Sequence, residues 1–187
     1  MHHINVVIIA LRIILFAAAL VCIFNLIIGY AFINENDPSV INDFLLNYFS
    51  NFVKVNPTDM KSLGVRSFFD IKWLAIGFMI AYTALIIYGM SGMVRLYKCL
   101  LKIEKGQIFY NEQGNQLRKV GGTIIIFAKI KYVLFCFVGI VSFADISTFI
   151  TQIPGFLALY LIGKLILIMS FIAEKGEFIQ EENELTI

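Results

Sequence analysis

WLAIGFMIAYTALIIYGMSGMV, residues 73–94, carries neither an acid nor a base. A helix rising ~1.5 Å per residue needs about 20 such residues to cross the ~30 Å hydrocarbon core of a bilayer. A second uncharged run, residues 13–33, has the same reach, and residues 120–143 and 156–173 are long enough but carry embedded lysines. Across all 187 residues 59% are hydrophobic and only 15% are charged, whereas roughly a quarter are charged in soluble domains. The pattern predicts one all-α membrane domain: an integral bundle of four transmembrane helices, with spans at about 6–33, 73–97, 118–143 and 156–173.

The first run does not read as a cleaved signal. No Lys or Arg precedes Arg12, the apolar stretch continues without a polar break, and Val21 before Cys22 fits a lipoprotein-type processing site poorly. Cys22, Cys99 and Cys136 are odd in number and far apart, which suits neither a disulfide framework nor a zinc site. His2 and His3 lack nearby Cys or carboxylate partners. Neither a phosphate-cradling glycine loop, nor a nucleophile elbow, nor a carboxylate pair placed for acid and base chemistry is present. The expectation is therefore a protein without a metal, a cofactor or enzymatic activity.

The connections set the topology. Residues 95–119 hold Arg95, Lys98, Lys102, Lys105, Arg118 and Lys119 against Glu104 and Glu112, while ADISTFITQIPG, residues 144–155, read as the connection between spans three and four, has no base. Positive residues stay on the cytoplasmic side, so both termini are expected there, in a multi-pass protein of the bacterial cytoplasmic membrane. Lys54, Lys61, Arg66 and Lys72 in the first connection dilute the signal. That connection also holds an amphipathic outer segment, residues 38–53. Val40, Ile41, Phe44, Leu45, Tyr48, Phe49, Phe52 and Val53 fall at helical spacing, with Asp37 placed to cap and Pro38 to open the helix. A lid on its own bundle is the expected role, with a recognition element for an external ligand as the alternative.

Ionisable residues within spans are functional candidates because an unpaired charge at the bilayer centre costs at least ~2.5 kcal/mol. Arg12, at the start of span one, can snorkel as an anchor. Lys129 and Lys131 point nearly opposite ways on a helix, so both cannot face one interior. Lys164 sits about nine residues from either end of the expected span four, near mid-depth, and would have to stretch outward to meet Asp145, the carboxylate at the outer end of span three. The readings left open are snorkelling or a structural pair, a site for an anionic ligand or lipid headgroup, and a relay.

Two segments carry a resemblance. GQIFYNEQGNQLRKVG, entering span three, supplies Gly106, Phe109, Asn111 or Asn115, Leu117, Arg118 and Gly121; the closing segment supplies Gly176, Glu182, Asn183, Glu184, Leu185, Thr186 and Ile187. The chain resembles the bacterial four-span membrane family of domain of unknown function 2975, with Glu184 where that family usually has Asp. The paired lysines of span three and the long outer segment are not part of the family pattern. Because such proteins are often encoded beside a small helix-turn-helix DNA-binding protein, the resemblance implies a membrane partner of a transcription regulator, with no direct contact to nucleic acid.

The expected function is a non-enzymatic sensor or regulatory partner whose cytoplasmic tail, residues 174–187, docks the regulator through Glu177, Glu181, Glu182, Asn183, Glu184, Leu185 and Thr186. A small transport or immunity protein acting on a peptide, ion or anionic lipid is the alternative. The bilayer is the expected environment, and a homo-oligomer remains open. The tail carries five glutamates and one lysine. Self-docking on the basic connection, within a Debye length of ~8 Å, is the expected resting state.

Overall fold

A computed structural model describes residues 2–35, 37, 40, 44, 68–106, 112–143 and 147–185. Four helices follow in order: α1 His2–Asn34, α2 Phe68–Glu104, α3 Gln113–Phe143 and α4 Ser147–Leu185. At ~1.5 Å per residue they measure about 50, 55, 46 and 58 Å. All four are long and apolar enough to cross a membrane, and no strand occurs among the described residues. The chain is an all-α, four-span membrane protein. Helices dominate because unpaired backbone groups cannot be hydrated in lipid and must be satisfied within the segment.

The fourth helix begins before the expected fourth span. Most of residues 144–155, read as a connection, is helical, with α4 starting at Ser147 and Pro154 inside it. Pro154 cannot donate to the Ile150 carbonyl, yet the apolar residues Phe149, Ile150 and Ile153 hold this stretch in the span. Residues 144–146, including Asp145, lie outside the described residues. So does most of the outer segment 38–53. Its described residues Val40 and Phe44 are helical, and the half-buried Phe44 ring meets Phe32 edge-on at 5.1 Å.

The chain packs as two compact units. One comprises Val21–Leu85 and Lys129–Leu157. Its core is Phe32, Ala75, Ile76, Phe78, Met79, Phe135 and Val138. Phe78 stacks on Tyr82 at 5.6 Å, and Phe135 meets both rings edge-on. Tyr132 joins α3 to α4 by ring contacts with Phe149 and Phe156 and donates to the Phe149 carbonyl at 3.3 Å. Asn25 is buried at 1% exposure, and its side-chain amide nitrogen has no hydrogen-bond partner among the described residues.

Lys72, which as a loop base only diluted the topology signal, has a structural task in this unit. Its ammonium donates to the carbonyls of Ile33 and Glu35, both at 2.8 Å, where α1 ends. The last carbonyls of a helix have no amide partners of their own and carry its negative pole. α1 has no basic residue in its final turn, so a cation from α2 meets that need. Lys72→Met removes both bonds and is expected to cost about 1–2 kcal/mol, while Lys72→Arg retains most of the stability. Thermal unfolding in detergent, with hydrogen exchange at residues 31–35, reads both variants; equal melting of wild type and Lys72→Met would refute the cap.

The other unit comprises Met1–Leu20, Ile86–Ala128 and Ala158–Ile187. Small residues set its packing. A methyl built on Gly121 would stand 2.9 Å from the Gly163 carbonyl oxygen, and one on Gly163 would stand 2.6 Å from Ile125 Cγ1. Gly114, seven residues before Gly121, lies against Ser170, seven residues after Gly163. α3 and α4 are therefore antiparallel in one register, meeting backbone to backbone. Likewise Gly92 lies against Thr123 and Gly89 against Phe127, which fixes α2 on α3. Lipid is as apolar as a side chain, so helix association in membranes relies on such close packing rather than on hydrophobic burial.

Candidate functional site

The candidate site lies at the end of this second unit where α1 begins and α4 ends. Arg12 Nε donates to the Tyr97 hydroxyl at 2.9 Å, with the guanidinium 5.4 Å from that ring's centre, so Arg12 is level with Tyr97 on α2. The Gly92–Thr123 contact brings Arg95 level with Val120 on α3. By the Gly121–Gly163 register, Val120 is in turn level with Lys164 on α4. Arg12, Arg95, Lys98, Arg118, Lys119 and Lys164 thus fall within about one helical turn, ~5 Å, of one level. All six are exposed. Each of the four helices contributes at least one.

Lys164, expected about nine residues from either end of a span 156–173, lies in a helix that begins at Ser147, and the helix register puts it beside the bases of α2 and α3. Its ammonium lies 5.6 Å from the centre of the Tyr160 ring, one turn away on the same helix. Lys129 is exposed, whereas Lys131 is half-buried with its ammonium 5.8 Å from the centre of the Phe135 ring. The two point different ways, as their spacing requires.

The acids of this end are arranged differently from the bases. Glu104, Glu174 and Glu177 are half-buried; Glu112 and Glu182 are exposed. Glu177 accepts the backbone N–H of Gly114 at 2.7 Å, in the first turn of α3, where amides lack partners within the helix and carboxylates are favoured. Any side chain at Gly114 would collide with Glu174, whose backbone nitrogen would stand 3.0 Å from the added carbon. Next to it Gln113 is 4% exposed, with its side-chain oxygen unpartnered among the described residues.

The tail, expected to rest on the basic connection, is helical at its base. α4 runs unbroken through Gly176 to Leu185, and Glu177 meets the start of α3 at the backbone amide of Gly114. Glu181, Asn183, Glu184 and Leu185 lie in this helix, but their side chains, like the whole of Thr186, Phe109 and Asn111, are outside the described residues. α2 ends at Glu104, and Gly106 follows with φ +87°, a left-handed turn suited to glycine. Leu117 and Gly121 are buried and Arg118 is exposed.

Gly114, Lys72 and Tyr97 were not singled out by the sequence reading. Gly114 had a signal, the seven-residue spacing to Gly121 matched by Gly163 and Ser170. Tyr97 had none, since its partner Arg12 is 85 residues away.

Residues 61–187 match the profile of the family described as "Protein of unknown function (DUF2975)". The chain belongs to this family. The match takes in α2, α3, α4 and the connections between them, and so includes Gly114, Gly121, Gly163 and Glu177, all of the residues that fix α3 on α4. Comparison with curated proteins and with solved structures finds no match.

Proposed function

We propose that this four-span protein is a non-enzymatic membrane sensor or regulatory partner of a small cytoplasmic helix-turn-helix regulator, with both termini in the cytoplasm of a bacterial cell. The observation carrying this reading is the continuity of α4. One helix runs from Ser147 through the apolar span into the acidic segment and ends at Leu185. A helix transmits tilt or rotation along its length, so a change felt in the span reaches the tail. The Glu177–Gly114 bond ties that movement to the start of α3.

The glutamates beyond this clamp, from Glu181 onward, suit docking to a basic regulator by charge complementarity, which favours encounter and selects partners. Bonded to Gly114, Glu177 serves as the resting contact. The experiment is truncation after Ala173 beside the charge reversals Glu181→Lys and Glu182→Lys, which keep Glu177 in place. Co-purification with the regulator encoded by the adjacent gene, and transcript levels of its targets, are the readouts. Both the truncation and the double reversal are expected to abolish association and alter transcription. Unchanged association in the double reversal would refute tail docking.

A further inference from the structure

We propose that the belt formed by Arg12, Arg95, Lys98, Arg118, Lys119 and Lys164 is a binding site for the phosphates of anionic phospholipids. The six bases are scattered over more than 150 positions of sequence but meet at one level of one packed unit, and all are exposed. Half-buried Glu174 and Glu177 are drawn against α3, and Glu177 is committed to the Gly114 amide. The outward face at the level of the belt is rich in positive charge, and the exposed acid nearest to it among the described residues, Glu112, stands six residues, ~9 Å, along the chain from Arg118.

The level itself fits a lipid headgroup. On α2 the uncharged stretch from Trp73 to Val94 ends at Arg95, and on α1 the uncharged stretch from Ile13 to Asn34 begins after Arg12. Each covers about 33 Å at ~1.5 Å per residue, close to the ~30 Å of a hydrocarbon core. The belt thus bounds an apolar slab of bilayer thickness on both helices independently. Exposed apolar residues of the same unit on the slab side of the belt include Ile13, Phe16 and Leu20 on α1 and Leu161 and Ile162 on α4. A molecule lying with its acyl chains on these surfaces brings its phosphate to the bases.

Arginine forks hold phosphate oxygens in pairs and lysines add point charge. Tyr97 fixes the guanidinium of Arg12 by the bond to Nε and leaves its two terminal nitrogens for a ligand. Lys164 is the contribution of α4 to this belt. A free phosphate would meet the same donors but would lack the apolar surface above them, and an acidic protein would not need the bases to share one depth.

The test uses the full-length chain in nanodiscs of phosphatidylcholine alone or mixed with phosphatidylglycerol, with retained lipid measured by native mass spectrometry after transfer to detergent. The wild type is expected to retain phosphatidylglycerol in preference to phosphatidylcholine. A base near a membrane surface contributes about fivefold in affinity, so Arg118→Gln, Lys119→Gln and Lys164→Gln together should lower retention on the order of a hundredfold. Lys164→Gln alone, at an exposed position, should lower it about fivefold and keeps the test informative if the triple variant does not fold. Equal retention of the two lipids, or a Lys164→Gln variant indistinguishable from wild type, would overturn the proposal. Displacement of phosphatidylglycerol by inorganic phosphate would also overturn it, since the site would then be one for a soluble anion. None of these outcomes bears on tail docking, which is read separately.

Discussion

Gly121→Leu should separate α3 from α4. Even a single added carbon at this position would stand 2.9 Å from the Gly163 carbonyl oxygen and 2.9 Å from Leu167 Cγ. The carbonyl belongs to a helical backbone and cannot swing aside as a side chain can, so the helices must move apart along the whole crossing. Overpacking of this kind costs ~1–3 kcal/mol for modest additions, and leucine, with its full side chain, is expected at or above the upper end. Because close packing rather than hydrophobic burial joins helices in lipid, little would offset the loss. The register that gathers the basic belt and presents Gly114 to Glu177 would be lost with it.

Gly122 supplies the control. An added carbon there meets nothing within 4 Å, and alanine has a better helix propensity than glycine by up to ~1 kcal/mol. Gly122→Ala should be neutral or slightly stabilising. Unfolding in mixed micelles, followed by circular dichroism and size-exclusion profile, distinguishes the adjacent variants. If Gly121→Leu and Gly122→Ala unfold together, the crossing does not hold the unit.

Asn25→Leu should make the protein more stable. The side chain is almost fully buried at 1% exposure, and its amide nitrogen has no hydrogen-bond partner among the described residues. A buried donor left unmade costs ~1–3 kcal/mol, while replacement by an apolar group of similar shape removes that cost. Leucine is close to asparagine in outline and suits the apolar surroundings of the span. A gain of about 1–3 kcal/mol is expected in the same unfolding assay. A loss would refute the unmade donor at Asn25 as a source of instability.

Much of this was legible in the sequence. Uncharged runs at residues 13–33 and 73–94 are sufficient to give spans one and two, since no water is available to an unpaired backbone in lipid. The family was legible in two short segments, and its profile matches from residue 61 to the end. Span four was less legible. Pro154 and the polar residues Ser147, Thr148, Thr151 and Gln152 resemble a turn, yet all lie in α4, and from Phe149 onward the stretch has the length and apolarity of a span. Gly176, named for the family resemblance alone, lies inside the helix.

The sequence by itself determined the spans, the clustering of bases at 95–119 and the acidity of the ending, because charge, length and composition act locally. Only the tertiary structure decided which of those charges share a level. A period of 3.6 residues tells which face of a helix a side chain occupies, but it carries no information on where a second helix lies along the first. That register is set here by backbone contact at Gly121 and Gly163, by Gly92 against Thr123, and by Arg12 on Tyr97. These contacts make Lys164 one member of a shared level of bases and Glu177 the clamp on α3.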